Sequence, residues 1–262
     1  PRKGKSRFSG ESGYFIPIFL HNASNYDFKL IVKYFSNRFA SKDISVIASN
    51  TEKFIGFQIG NLRFLDSFKF LGTSLDALTQ NLLKSGEDKF QITRNAFPGS
   101  STVFRKGIYP YEYMDSYSRF SETQLPPQHA FYSQLNDSHI TDEDYQMAQA
   151  AWVEFKCQTM QNYHDFYLKL DVALLADVFE NFRSISQSAY GLDPAHYWTL
   201  PGFSWDACLK ETGVKLELFT EPDANKYLFF ENAIRGGVSM ITHRHAKANN
   251  GMDMDPSKPP SW

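Results

Sequence analysis

Residues 14–27 read YFIPIFLHNASNYD, and this stretch decides how the chain begins to fold. Its first half, Tyr14–Leu20, is an almost continuous apolar run, which predicts a buried β-strand. Pro17 cannot donate a backbone hydrogen bond to a sheet. We therefore expect this strand to lie at a sheet edge or to carry a bulge.

A helix and three further strands are predicted next. Asn25 or Asp27 can cap a helix that continues to about Phe39. The apolar segments after it are separated by Ser49-Asn50 and Gly60-Asn61, which are turn signals. This pattern predicts a three-stranded meander, with strands at Ile44–Ala48, Lys53–Ile59 and Leu62–Phe68.

Helices dominate the remainder of the chain, on either side of a proline-containing, loop-rich stretch at residues 96–135. Ser74 begins one helical pattern, and Thr141 begins another because Asp144 follows it in a variant of the capping box. Gly191 is a typical helix C-terminal residue. The further helices are predicted at about Gln161–Ala189, Phe203–Thr212 and Asp223–Ala233.

The composition limits the classes of partner. The formal net charge of −2 gives no overall basic bias, so contacts with nucleic acid would need local basic patches. Two such patches occur, although solvated chain termini would have the same composition. They comprise Arg2, Lys3, Lys5 and Arg7 near the start, and Arg235, Arg244 and Lys247 with His243 and His245 near the end.

The cysteine count and the hydropathy pattern exclude several other classes. The only cysteines, Cys157 and Cys208, are too few for a disulfide scaffold or a cysteine-based zinc site. No apolar run reaches the roughly 18 residues that span a bilayer. We therefore expect a soluble intracellular protein that is not secreted, with no membrane partner.

Polar side chains follow the first strand directly. Asn22 can donate and accept hydrogen bonds, Tyr26 offers a ring on which a base can stack, and the carboxylate of Asp27 is a typical Mg²⁺ ligand. The alternative is an ordinary asparagine turn followed by an aspartate helix cap.

A second pair of polar residues lies on the long predicted helix. Tyr167 and Asp171 are four residues apart and share a helix face. Phosphodiester hydrolysis uses such a pair, because a carboxylate can hold a metal ion while a phenol orients water. An amphipathic helix with a polar edge would show the same spacing.

Together these motifs resemble a known family. Asn-x₃-Tyr-Asp after a strand, and Tyr-x₃-Asp on a long helix, resemble the second and third exonuclease motifs of family B DNA polymerases. Ser67 and Phe68 resemble the Ser/Thr-Leu element with which protein-primed members hold single-stranded DNA, with Phe68 in place of leucine. Lys106 matches the lysine of the Lys-x-x-apolar element. Ile234-Arg235-Gly236-Gly237 resembles the Tyr-x-Gly-Gly element, without its tyrosine.

Longer stretches, among them YLKLDVALLADVFENFR, are similar to polymerases of Maverick/Polinton-type transposons and related viruses. The resemblance implies an α/β, RNase H-like 3′–5′ exonuclease fold, a mixed sheet flanked by helices, with a C-terminal extension leading toward a polymerase palm. The domains expected are a disordered basic tail at 1–12, an exonuclease domain at 13–190, and a connecting region at 191–262 with a polar tail at 249–262.

The resemblance also implies roles for individual residues. Asp27 and Asp171 would be ligands of Mg²⁺ in a two-metal site, Tyr167 would orient water, and Lys106 would stabilise phosphate charge. The partners implied are a single-stranded 3′ end, a primer–template and a terminal protein that primes synthesis, at the nucleus or a site of viral or transposon replication. The DNA-holding residues implied are Asn22, Tyr26, Ser67, Phe68, Arg235, Gly236 and Gly237.

Two motifs of the family are missing from this sequence. Pro1–His21 contains no aspartate, so the Asp-x-Glu of the first exonuclease motif is absent, and no polymerising motif follows Gly237. We therefore expect a polymerase fragment that is inactive alone. The alternatives are a catalytically dead module that binds single-stranded DNA, and a structural protein with no role on DNA.

Overall fold

The computed structural model describes residues 14–35, 44–50, 53–237, 240, 247–250 and 254–259. The chain divides into two compact units between Val214 and Lys215. The predicted basic tail at 1–12, the end of the first predicted helix, and Arg244 with its flanking histidines lie outside the described residues.

A mixed four-stranded sheet forms one part of the first unit. Its strand order is β1–β4–β3–β2, with β1 parallel to β4 and the other neighbours antiparallel. The predicted meander is confirmed, and so is the edge position of the strand that contains Pro17. The strands are β1 (Ile16–Leu20), β2 (Ile44–Ala48), β3 (Phe54–Ile59) and β4 (Leu62–Asp66).

Helices and loops supply the rest of the described chain, and two of the helices, α2 and α4, begin at their predicted capping residues. The hydroxyls of Ser74 and Thr141 each accept a hydrogen bond from a first-turn backbone N–H. The helices are α1 (Asp27–Phe35), α2 (Leu75–Lys84), α3 (Gln91–Ala96), α4 (Asp142–Glu154), α5 (Met160–Tyr190), α6 (Leu200–Thr212) and α7 (Ala224–Ala233).

Helix α5 is the longest element and organises the first unit. Thr159 and Asn162 form a capping box at its start, and Gly191 ends it with a left-handed φ of 60°. The carboxylate of Asp177, which is 2% exposed, accepts hydrogen bonds from the N–H groups of Ile92 and Thr93 at 2.8 Å. Local sequence did not predict α3, because this tertiary contact caps it.

Two hydrophobic clusters hold the first unit together. One lies between the sheet and α1, where the rings of Phe57 and Phe64 stack at 4.5 Å and Phe28 packs edge-on against Phe57. The other lies on the inner face of α5 and includes side chains from α2, α4 and the loop-rich stretch. Phe19 of β1 contacts Phe179 of α5 at 3.9 Å, so the sheet also packs on α5.

The mixed sheet flanked by helices agrees with the predicted α/β class. The compact first unit extends past residue 190, because α6 packs back on α5. The rings of Phe203 and Phe182 pack edge-on with their centroids 6.0 Å apart. The ammonium of Lys210 donates to the carbonyl oxygen of Gly191 at 3.1 Å. The predicted domain boundary at 190/191 thus differs from the division after Val214.

Candidate functional site

The segment that begins at Lys106 lies against one face of α5. Tyr163, Tyr167 and Asp171 occupy successive turns of that face. The Tyr163 hydroxyl donates to the Ile108 carbonyl at 2.6 Å and fixes the segment. A Cβ on Gly107 would come within 2.9 Å of Tyr167 Cδ2, so this close approach requires glycine.

This docking brings Lys106 and Asp171 together. Lys106 Nζ lies 4.0 Å from Asp171 Oδ2. Burial raises the pKa of the Asp171 carboxyl, while the ammonium of Lys106 and the hydroxyl of Tyr167 partly oppose that rise. The other oxygen, Oδ1, is buried and has no hydrogen-bond partner within the described part of the chain. That oxygen is therefore an unpaired acceptor inside the protein, while the more open edge of the carboxyl faces Lys106.

Tyr167 sits in a cluster of phenols. Its hydroxyl lies 2.5 Å from the hydroxyl of Tyr111, and its ring stacks on Tyr109 at 4.8 Å. Burial first, and then the charge of Asp171, raise the pKa of Tyr167, and burial raises the pKa of Tyr109 to about 12. Both phenols therefore stay protonated at neutral pH and can act as hydrogen-bond donors.

A second group of predicted residues surrounds the ends of β1 and β4, where Asp66 is 1% exposed. Its carboxylate accepts hydrogen bonds from the backbone N–H groups of Asn22 at 2.8 Å, Ser24 at 3.0 Å and Phe68 at 3.0 Å. One buried carboxylate thus fixes the positions of two predicted DNA-holding segments, and no motif had identified it.

Ser67 is fully buried, at 0% exposure. Its hydroxyl donates to the Leu20 carbonyl at 3.0 Å and lies 3.0 Å from His21 Nδ1. The ring of Phe68 is half-buried and packs against His21 at 5.5 Å. The Ser67 hydroxyl thus joins the end of β1 to the segment after β4, and the role of Ser67 in holding DNA stays a prediction.

Asn22, Tyr26 and Asp27 lie on the outer side of the same region. Asn22 is exposed and adopts a left-handed φ of 62°, and its side-chain oxygen accepts from Asn25 at 2.6 Å. Tyr26 is 67% exposed. Asp27 is the half-buried first residue of α1. The exposed amide and ring can therefore contact a ligand directly.

The chain directions of β1 and α5 show where the residues after β1 lie relative to Lys106 and Asp171. Phe15, before β1, contacts His196, which follows α5, while Phe19 near the end of β1 contacts Phe179 within α5. The two elements therefore run in opposite directions. The residues after β1 consequently point toward the half of α5 that contains Asp171.

Arg235, Gly236 and Gly237 belong to the second compact unit, where they follow α7 and are exposed. A Cβ at either glycine would meet nothing within 4 Å. Packing inside the described part of the chain therefore does not require glycine at these positions.

The described residues fit the expected two-metal site poorly. They contain no group of three or more His, Cys, Asp or Glu side chains arranged to hold a metal ion. Asp171 offers one buried carboxylate oxygen, but the charged group beside it is an ammonium, whereas Mg²⁺ prefers several oxygen ligands. We therefore derive no metal-dependent step from this site.

The sequence is consistent with a polymerase origin. It matches the family described as DNA polymerase type B, organellar and viral, over residues 15–252. The chain therefore belongs to this family of DNA polymerases, which implies a role in DNA replication and DNA binding. No curated protein and no solved structure matches the chain. Within the described part of the chain, every helix is too short or too polar to cross a membrane.

Proposed function

We propose that this chain is the region of a protein-primed type B DNA polymerase that holds a single-stranded 3′ end for editing. The observation that carries the proposal is the meeting of Lys106, Tyr167 and Asp171 at one place on α5. These three residues belong to two separate sequence motifs, so their proximity supports a shared site. Family membership supplies DNA as the ligand.

The site's chemistry suits a phosphodiester near its 3′ end. The Lys106 ammonium can pair with a phosphate oxygen, and the protonated hydroxyl of Tyr167 can donate to a second oxygen or to a water. Asp171 lies beside Lys106 and can hold its ammonium in place. Asn22 and Tyr26 would contact the nucleotides beyond this phosphodiester.

We further propose that the chain by itself binds 3′ ends without cleaving them efficiently. In the complete enzyme the family resemblance implies Mg²⁺, with Asp27 and Asp171 among its ligands. The described residues contain no cluster of three metal ligands, which supports binding more strongly than hydrolysis. The same observation favours the second candidate function, a single-stranded-DNA-binding module without catalysis.

Binding should be measured by fluorescence anisotropy with a labelled single-stranded oligonucleotide at several salt concentrations. We expect Lys106→Ala to weaken binding and to lower the slope of log affinity against log salt by about 0.7, the value for one lost phosphate contact on a single strand. The matched control is Lys84→Ala, which removes an equal charge at the exposed end of α2. Equal effects of the two variants would contradict the proposed site.

Cleavage should be tested separately with 3′-labelled single-stranded DNA and Mg²⁺. Binding with negligible digestion is the expected result. Rapid digestion that Asp171→Ala abolishes would show that this chain carries a complete exonuclease, and would rule out the module without catalysis.

A further inference from the structure

Five aromatic rings contact one another in series from the candidate site outward. The ring of Tyr167 stacks on that of Tyr109 with their centroids 4.8 Å apart, and the centroids of Tyr109 and His164 are 5.5 Å apart. His164 contacts Phe120 at 5.1 Å, and Phe120 contacts Tyr117 at 6.3 Å. We call this series the aromatic track.

The track changes from buried to open along its length. Tyr167 is 6% exposed, while Tyr109, His164 and Phe120 are half-buried. Tyr117, at the outer end, is 91% exposed. Core packing explains the inner rings, and it gives no reason for a tyrosine ring that is almost fully in water.

We propose that the aromatic track binds the unpaired bases that precede the 3′ terminus, with Tyr117 and Phe120 as stacking platforms. This inference rests on the proposed function, since it requires the 3′ end to lie beside Tyr167. The inner rings cover one another, with centroids 4.8–5.5 Å apart, so no base fits between them. The almost fully exposed ring of Tyr117, with Phe120 beside it, is the part of the track on which a base can stack.

The charges beside the outer rings provide no attraction for a phosphate, so stacking is the contact that these rings can offer to a nucleotide. Arg119 is paired with Glu122 at 2.9 Å and with Asp115 at 3.4 Å. Two carboxylates thus surround one guanidinium, so the outer track has no excess positive charge to attract a phosphate. Stacking on aromatic rings tolerates any base sequence. An uncharged ring neutralises no phosphate, so its own contribution to binding adds nothing to the salt dependence.

The test is a cycle of protein variants and DNA variants, measured by fluorescence anisotropy. The protein variants are Tyr117→Ala and Tyr117→Phe, with Tyr34→Ala as the control because Tyr34 is a 73% exposed tyrosine on α1. The DNA variants are oligonucleotides in which single abasic positions replace successive bases counted from the 3′ end. Each pair is measured at low and at high salt.

We expect Tyr117→Ala to weaken binding of the natural oligonucleotide roughly 5-fold or more, a typical loss for one stacked base. The loss should be similar at both salt concentrations and should disappear when the matching base is abasic. Tyr117→Phe, which keeps the ring, should bind like the unchanged protein, and Tyr34→Ala should have no effect.

Two outcomes overturn the inference in distinguishable ways. If binding is sensitive to Lys106→Ala but indifferent to both Tyr117→Ala and the abasic positions, the aromatic track does not bind bases and the proposed 3′-end site stands. If binding is insensitive to Lys106→Ala as well, the proposed function fails and the inference fails with it.

Discussion

Lys106 Nζ lies 4.0 Å from Asp171 Oδ2, and the two side chains are 34% and 23% exposed. The pair joins a loop to the middle of α5, because Gly107 and the carbonyl of Ile108 hold the loop against the helix. Burial raises the pKa of Asp171 and the ammonium of Lys106 opposes that rise, so Lys106 favours the ionised form of this largely buried carboxyl. The pair therefore contributes to stability as well as to the proposed binding of DNA.

Replacing Lys106 with alanine should destabilise the fold in a pH-dependent way. The pKa of Asp171 is raised in the folded state, so its contribution to stability is present at low pH and is lost as pH rises from the unfolded value toward the folded value. Without Lys106, the pKa of Asp171 in the folded protein rises further, and more stability is lost as the pH rises. We expect a decrease in the free energy of unfolding of about 1 kcal/mol near pH 7, and a smaller decrease near pH 4.

Urea denaturation at the two pH values measures this difference. Lys84→Ala removes a lysine whose ammonium donates, among the residues that the structure describes, to the exposed Asn81 at 3.2 Å. It should therefore change stability little at either pH. A decrease for Lys106→Ala that is the same at both pH values would show that the carboxylate of Asp171 is not the partner responsible.

Gly107→Ala should disturb the site through a steric contact. The new Cβ would lie 2.9 Å from Tyr167 Cδ2 and 3.3 Å from Cε2, so the ring or the loop must move. We expect a loss of about 1–3 kcal/mol in the free energy of unfolding, together with weaker binding of single-stranded DNA. Denaturant unfolding and anisotropy on the same protein samples measure both effects.

Gly202→Ala is the matched control for that variant. Gly202 lies within α6, and a Cβ there would meet only Tyr197 Cδ1 at 3.9 Å, an ordinary contact. Alanine in a helix should raise stability by up to about 1 kcal/mol. If both alanine variants were stabilising, the close docking of the 106–111 loop on α5 would be wrong.

Local patterns predicted most of the secondary structure, because each segment carries its own boundary signals. Gly60 adopts a left-handed φ of 56° at the β3–β4 turn, as its turn motif indicates. Helix α3 was missed because the groups that stabilise it are distant in sequence. Its first N–H groups bind Asp177, whose position on α5 gives no local signal.

The site was only partly predictable for a similar reason. The spacing of Tyr167 and Asp171 on one helix indicated a shared face, and Lys106 was identified by a motif. Tyr111 follows Lys106 closely but carries no sequence signal of its own, because it meets its partner Tyr167 only when the loop docks on α5. Burial of Ser67 likewise depends on the parallel pairing of β1 with β4.

Ser67→Ala and Asn22→Gly should distinguish a residue that supports DNA binding through the fold from one that contacts the DNA itself. Ser67 is buried and its hydroxyl joins β1 to β4, so alanine should lower the free energy of unfolding by about 1 kcal/mol and weaken DNA binding only to the extent that the loop loosens. Asn22→Gly removes an exposed amide at a φ of 62° that glycine adopts freely.

We therefore expect Asn22→Gly to keep most of the stability and to weaken binding of single-stranded DNA several-fold. Thermal unfolding and anisotropy, measured side by side, give the two quantities. The opposite pattern, with DNA binding lost in Ser67→Ala at unchanged stability, would support a direct contact between the Ser67 hydroxyl and DNA.

Asp66→Asn should have the largest effect on the region around the ends of β1 and β4. The buried carboxylate accepts three backbone N–H bonds, and an asparagine amide would direct its own donors at one of those groups. Bonds to a charged acceptor are each worth about 1.5–3 kcal/mol, so we expect a loss of roughly 2–4 kcal/mol in the free energy of unfolding.

The exposed Asp165 provides the control, because its carboxylate accepts a single hydrogen bond within the described part of the chain, from Gln161 at 2.8 Å. Asp165→Asn should change stability by less than about 0.5 kcal/mol. Amide hydrogen exchange at Asn22, Ser24 and Phe68 locates the effect, because these N–H groups should lose protection selectively in Asp66→Asn. Unchanged protection at all three would mean that the carboxylate does not hold this region in solution.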